Sequence, residues 1–258
     1  MSRRRSSSSS NGLLQSLIEF TALLIRLFVI LCFTVIELLI RLIFFTYDFI
    51  TFNTSQYKEK SGNSFIKTYF NKGNYGEFLL FRKLVKIFGK ENVYANIYLD
   101  NEATDYTEVD IVAVSQFGIF VFEMKNFSGY IYGSEEDLNW TQVLNKFSKY
   151  KFYNPIRQNA THAKAMGNYL SVDENKIVPV IVFSNHSKLR LKLNSDIKII
   201  KLNSIKKFIK NYNKTNLIHF TDEEISTIGS KLYSRSNMSD EIKELHIQQV
   251  KDIRERFR

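Results

Sequence analysis

The stretch Thr107–Lys125, TEVDIVAVSQFGIFVFEMK, decides how the rest of the chain reads. Two runs rich in β-branched and aromatic residues, Val109–Ser115 and Gly118–Met124, flank Gln116-Phe117, and Gly118 marks a turn. The stretch therefore predicts a β-hairpin. Side chains alternate across a strand, so Glu123 and Lys125 share a face and Met124 points the other way. A hairpin centred on Gln116-Phe117 sets Asp110 opposite Glu123, with Cβ atoms about 5 Å apart. A loop one residue longer or shorter would undo that pairing. Two carboxylates this close repel unless a cation lies between them, and their hard oxygens suit Mg²⁺ or Mn²⁺. A metal held so keeps several waters, one of which can become a nucleophile, and a neighbouring lysine can offset charge growing on a phosphate oxygen. A strand end with a surface salt bridge has the same Glu-x-Lys spacing. Asp110 sets this one apart by interrupting an apolar run.

Composition bounds the alternatives. The 258 residues are 44% hydrophobic and 14% aromatic, with only two prolines and ten glycines. That supports one or two domains with a proper core and argues against a disordered or fibrous chain. The single cysteine, Cys32, excludes an intrachain disulfide framework and any Cys-based zinc site. Thirty-six Lys and Arg against 26 Asp and Glu leave a net charge of +10, most of it after residue 53. Such a balance suits an anionic partner, nucleic acid or an anionic lipid surface.

Residues 1–11 are basic, Ser-rich and low in complexity, and read as a disordered tail. From Gly12 to about residue 53, Leu, Ile and Phe dominate without a proline, and one helix of about 60 Å fits. Its best spanning window, Phe20–Ile36, is interrupted only by Arg26. No small-residue cleavage site follows, so a signal peptide fits poorly. Glu19, Arg26, Glu37, Arg41 and Asp48 fall on one stripe of the helical wheel. That stripe is costly against lipid. Either the helix spans and buries the stripe against another copy, making a homo-oligomer, or it lies in the interface with the stripe in water. Membrane association is the expectation, and the flanking basic residues are too balanced to orient it.

Residues 54–72 read as a polar linker, 73–235 as the globular domain and 236–258 as a C-terminal helix capped by Ser239-Asp240. A helix is predicted over Tyr75–Phe88, with Glu77 in its first turn at the centre of the apolar face. Glu77 is then either a helix-dipole acid or a site carboxylate. Strands are predicted at Val93–Leu99, Gly129–Gly133, Val178–Ser184 and Ile197–Leu202, and an acidic loop at residues 100–105. Trp140 is placed in a loop. Asn154-Pro155 starts a helix to Leu170 that buries Ile156, Ala160, Ala163, Met166 and Leu170. Gln158 and His162 share a neighbouring stripe, and a lone His is more often structural or exposed than a ligand. Further helices are predicted over Ser204–Asn211 and Asp222–Tyr233. No internal repeat, phosphate-binding glycine loop, Ser-His-Asp arrangement or zinc spacing is present.

The string from Gly73 to about Tyr233 resembles the nuclease-related domain (NERD) family, a branch of the PD-(D/E)XK nuclease superfamily. The resemblance rests on Gly76-Glu77, on Glu108-Val109-Asp110, on Gly118 through Asn126 (GIFVFEMKN) and on Ser128-Gly129. It continues through Trp140, Asn154-Pro155 and Gln158-Asn159 to the apolar strand ending in Phe183. It implies an α/β fold of restriction-endonuclease type, a central mixed sheet flanked by helices, here preceded by a long membrane-associated helix. It further implies Asp110 and Glu123 as metal ligands, Lys125 as the catalytic lysine, Glu77 as the acid delivered by the first helix and Gln158 as the polar residue on the following one. A site carboxylate also explains an acid on an apolar face. The expectation is a membrane-tethered, Mg²⁺- or Mn²⁺-dependent nuclease acting on DNA ahead of RNA, its domain on the cytoplasmic side. A non-catalytic, membrane-anchored nucleic-acid-binding or assembly module is the alternative.

Overall fold

The computed structural model describes residues 6–101 and 105–236, together with residues 244, 245, 248, 249 and 252. The expected C-terminal helix lies largely outside them, as does the middle of the acidic loop. The chain divides into two units, Met1–Ile50 and Thr51–Arg258.

The first unit is one helix, α1 (Ser6–Thr54), whose last residues enter the second unit. It begins inside the Ser-rich stretch expected to be disordered. No proline interrupts it, so the backbone ladder runs unbroken. Leu14–Thr54, 41 residues whose most apolar 18-residue window has a mean hydropathy of 2.7, is long and apolar enough to cross a membrane. Leu, Ile and Phe side chains stand exposed along it. Several of its polar groups are satisfied locally. The Thr21 and Thr34 hydroxyls donate to the carbonyls of Ile18 (2.9 Å) and Leu31 (2.8 Å). Arg41 reaches Glu37 one turn back at 2.7 Å.

The second unit opens with a correction. Residues 54–72 are not an open linker: they carry α2 (Tyr57–Ser61) and α3 (Phe65–Phe70). Phe52, Tyr57, Phe65 and Phe78 are buried together, with ring centroids 5.4–5.7 Å apart. Lys60 donates to the carbonyls of Lys90 and Val93 and lies 4.7 Å from the Tyr94 ring, fastening α2 to the first strand. Lys and Asn between the aromatics hide this packing from a compositional reading.

Then follow α4 (Lys72–Phe88), β1 (Val93–Asn101), β2 (Asp105–Ser115), β3 (Gly118–Lys125), β4 (Gly129–Ser134), β5 (Asn139–Val143) and β6 (Lys149–Tyr153). Next come α5 (Pro155–Leu170), β7 (Ile177–Phe183), β8 (Ser187–Lys192), β9 (Ile199–Lys201), α6 (Ile205–Thr215) and α7 (Asp222–Ser236). The central sheet has the order β1-β2-β3-β7-β9, antiparallel up to β3 and parallel beyond it. The hairpin register is the expected one, from Ser115↔Gly118 to Ile111↔Phe122. One face of the sheet packs Val112, Val114, Ile119 and Val121 against Met166 and Leu170 of α5 and Leu232 of α7. On the other face Phe120 meets Phe88 of α4 and Tyr212 of α6, at 5.5 and 5.2 Å.

A second sheet, order β6-β5-β4-β8, was not foreseen. Trp140 sits on β5 rather than in a loop. It is fully buried, stacked on Phe183 at 6.3 Å and 8°, and its indole N–H donates to the Ser134 carbonyl at 2.8 Å. Its ring leaves no room over Gly133, where a Cβ would come within 2.3 Å of Trp140 Cγ. Gly133→Ala must therefore displace the ring, an overpacking change of about 1–3 kcal/mol. Trp140 is the sole tryptophan, so the variant is expected to melt at lower temperature and to show an altered emission spectrum. An unchanged spectrum and melting temperature would contradict the packing described.

Candidate functional site

The site forms where the hairpin ladder ends. Ile111↔Phe122 is the last backbone pair of β2 and β3. One residue further, the Asp110 side chain takes over, and its Oδ2 accepts the Met124 N–H at 2.8 Å. On the opposite edge of β2 the ladder is interrupted at the same level. Asn96, the β1 residue between the pairs Ala95↔Ile111 and Ile97↔Val109, is unpaired and left-handed at φ 51°. Asp110 thus occupies a discontinuity in the middle of an otherwise regular sheet.

Odd-numbered side chains of β3 face α5. Glu123 is 1% exposed, with Oε1 on the Lys125 ammonium and Oε2 3.2 Å from His162 Nε2. That second approach is out of line, so Glu123 Oε2 accepts no aligned hydrogen bond and has the His162 ring edge beside it. Lys125 Nζ also donates to Gln158 Oε1 at 3.0 Å. His162 Nδ1 lies 2.9 Å from Thr107 Oγ1 on β2. One turn of α5 separates Gln158 from His162, so Asn154, whose Oδ1 caps the helix by accepting the Ile156 N–H at 2.9 Å, sets the position of both.

Glu77 arrives from α4. The helix begins at Lys72, capped by Asn71 Oδ1 on the Asn74 N–H at 3.0 Å, so Glu77 lies beyond the first turn and the helix-dipole reading lapses. Gly76 allows α4 to close on the end of β3: a Cβ there would lie 2.4 Å from Asn126 Cβ. Asn126 Nδ2 completes the contact by donating to the Lys72 carbonyl at 2.7 Å.

The charges respond to this crowding. Burial, then the carboxylates of Glu108 and Glu123, pushes Glu77 from an ordinary 4.5 up to about 8, against the pull of Lys125. Burial, then Glu123 and Glu77, raises Asp110 well above the usual carboxylate range. Burial alone would also raise Glu123, yet Lys125 and His162 hold it below its ordinary value. Lys125 is raised: burial works against its charge, but Glu123 and Asp110 outweigh it. Tyr57 of α2 feels the site too, its phenol pushed up by burial and then by Glu77 and Asp110.

The five residues singled out from the sequence, Glu77, Asp110, Glu123, Lys125 and Gln158, therefore converge. His162, read as structural or exposed, is buried beside Glu123, and Thr107 behind it was not singled out. On α5, Met166 and Leu170 are buried and Ile156 and Ala163 partly so, as expected, but Ala160 is exposed, and Asn159 and His162 are buried in addition. The shared stripe of Gln158 and His162 was the available signal. Among the described residues no group of three His, Cys, Asp or Glu stands close enough to hold an ion. Two carboxylates, Asp110 and Glu123, plus water remain, the oxygen-rich arrangement Mg²⁺ accepts. Glu123 Oε2, which accepts no aligned hydrogen bond, and the mutual repulsion of the crowded acids Glu77, Asp110 and Glu123 fit such a cation.

A pH dependence follows for the metal-free chain. The unfolded chain ionises Glu77 near 4.5, while the folded chain keeps it neutral to about 8. Stability is therefore full below the lower value and lost as pH rises between the two. Thermal melts in chelator are expected to show the melting temperature falling from pH 5 to 8, and a shallower fall in Glu77→Gln. An identical slope in the variant would contradict this origin.

The chain matches the nuclease-related domain (NERD) family over residues 72–184, which contain the whole site. The uncharacterized protein pXO1-01 of Bacillus anthracis is 31% identical over 179 residues, covering 68% of this chain and 82% of that protein. No solved structure matches the chain. With this site geometry and these similarities, the chain belongs to the nuclease-related domain family.

Proposed function

We propose that this protein is a Mg²⁺- or Mn²⁺-dependent phosphodiester hydrolase acting on nucleic acid, DNA ahead of RNA, tethered to a membrane by α1 with its domain on the cytoplasmic side. The observation that carries the reading is the partly buried Lys125 ammonium, held between Glu123 and Gln158 beside Asp110. Asp110 and Glu123 would hold the ion. When bound, it would supply a water of lowered pKa and charge for a phosphate oxygen.

The chain's own groups do the rest. Lys125 stays protonated across the physiological range and presents a fixed positive charge where a phosphoryl oxygen gains charge. Gln158 aims that ammonium, and His162, backed by Thr107, steadies Glu123. Burial and mutual repulsion favour the protonated forms of Glu77 and Asp110 without metal, and cation entry would favour the ionised forms, so affinity for the ion should rise with pH. The net charge of +10 suits contacts to the phosphate backbone, which give affinity without sequence choice. The length and apolarity of α1, and its stripe of Glu19, Arg26, Glu37 and Arg41, support a membrane-embedded helix that pairs with a second copy.

One observation favours the non-catalytic reading. Glu123 Oε1 and Asp110 Oδ2 are already engaged within the chain, so an ion must compete with Lys125 and the Met124 N–H. The full chain in detergent micelles, given plasmid DNA, linear DNA and RNA with Mn²⁺, Mg²⁺ or chelator, separates the two. Metal-dependent cleavage is expected, reduced by about 100-fold or more in an Asp110→Ala, Glu123→Ala double variant. A folded, metal-binding protein that cleaves none of these substrates would establish the binding module instead.

A further inference from the structure

The second sheet has one face buried and one in solvent, and the solvent face is not an ordinary polar surface. Ile131, Trp140, Leu189, Leu191 and Phe152 point inward onto Ile181 and Phe183. Register fixes what points outward, because cross-strand partners share a face. One row reads Lys149↔Val143↔Tyr130↔Lys188, the next Lys151↔Thr141↔Tyr132↔Arg190. Beyond them Tyr153 of β6 pairs with Asn139, and Lys192 of β8 with Ser134. The three rows carry five cations and no acid. A solvated sheet face ordinarily mixes both signs.

The order within the rows matters as much as the charge. Tyr130 and Tyr132 form a column on β4, exposed by 36% and 46%, their rings stacked at 6.3 Å and 26°. Cations flank this column, Lys188 and Arg190 on β8 and Lys149 and Lys151 on β6. Lys188 Nζ and Arg190 Cζ lie 5.1 and 5.8 Å from the Tyr130 ring centre. Aromatic faces between basic margins are what a flexible nucleic-acid strand requires, with bases stacking on the rings and phosphates along the cations.

The face also leads to the site. β4 starts four residues after Lys125, and Ser184, which precedes β8, donates its N–H to the Lys125 carbonyl at 3.1 Å. Tyr130 lies at most about 17 Å of extended chain from Lys125. At that same end of the sheet the β5–β6 turn carries Phe147, 96% exposed. The acids of the β4–β5 turn, Glu135, Glu136 and Asp137, lie at the opposite end.

We propose that the outer face of the β6-β5-β4-β8 sheet binds single-stranded nucleic acid and guides it toward Lys125. Duplex DNA fits less well, since its bases are already stacked and offer no free faces to Tyr130 and Tyr132. An anionic bilayer would satisfy the cations. It would also take tyrosine rings at its interface, but the rows project no aliphatic residue except Val143 to enter its hydrocarbon. The inference rests on the nucleic-acid reading above but not on catalysis, so binding is measured with chelator present.

The full chain in neutral phosphatidylcholine nanodiscs is titrated against fluorescent oligo(dT) of about 20 nucleotides, and against the same length as duplex. Tyr130→Ala with Tyr132→Ala is expected to weaken oligo(dT) binding by about tenfold or more, while the paired Phe substitutions retain it. Lys149→Gln, Lys151→Gln and Lys188→Gln together should lower the slope of log affinity against log salt by about 2. Equal affinity of parent and alanine variant for oligo(dT), or tyrosine-dependent binding of duplex alone, would overturn the proposal. So would hydrogen-exchange protection of β4 and β8 that arises only in discs containing phosphatidylglycerol. Tyrosine-dependent oligo(dT) binding by a parent that cleaves nothing would refute the nuclease and leave the binding face standing.

Discussion

The structure depends on one buried charge. Glu123 lies almost wholly out of water, and a carboxylate there is tolerable only with a cation and hydrogen bonds around it. Lys125 supplies the cation from the same strand, two residues on, because alternation puts both on one face. Lys125 in turn needs Gln158, and Glu123 needs His162, so α5 is committed to a fixed rotation over the sheet. Thr107 then ties β2 to the same group. Satisfying a single carboxylate fixes the relation of β2, β3 and α5.

The same demand explains why the sheet is irregular only here. Asp110 leaves the ladder to accept the Met124 N–H, and Asn96 leaves it on the other side. The loss of regular pairing is confined to the level where the acids meet. Above it, Val112, Val121 and their neighbours form an uninterrupted core. The site is thus a local exception held by a rigid surround, with Gly76 bringing α4 close enough to add a third acid.

Much of this was legible in the residues. A two-residue turn and strict alternation fixed the hairpin register, and with it the meeting of Asp110, Glu123 and Lys125. Asn154-Pro155 marked the start of α5, and the apolar stripe marked α4. The second sheet was not legible, because β5, β6 and β8 are short, carry Lys and Tyr on their outer face, and depend on Trp140 and Phe183 meeting across the fold. Residues 54–72 failed for a related reason: isolated aromatics among Lys and Asn reveal nothing until Phe52, Tyr57 and Phe78 come together. His162 was missed because a helical wheel gives direction but not distance, and only the closed structure sets it against Glu123.

The topology of the central sheet has a consequence for how the protein is made. β3 is complete once the ribosome has passed residue 125, yet its parallel neighbour β7 begins at Ile177, with β4, β5, β6 and α5 in between. α1 emerges first, the hairpin bearing Asp110, Glu123 and Lys125 follows, and Gln158 and His162 arrive only with α5. Until then the nascent chain carries two acids and a lysine that α5 has not yet covered. Long-range parallel pairing is slow to form. The complete constellation therefore belongs only to a chain synthesised past its middle and folded back on itself, by which time the apolar helix has long been available to a membrane.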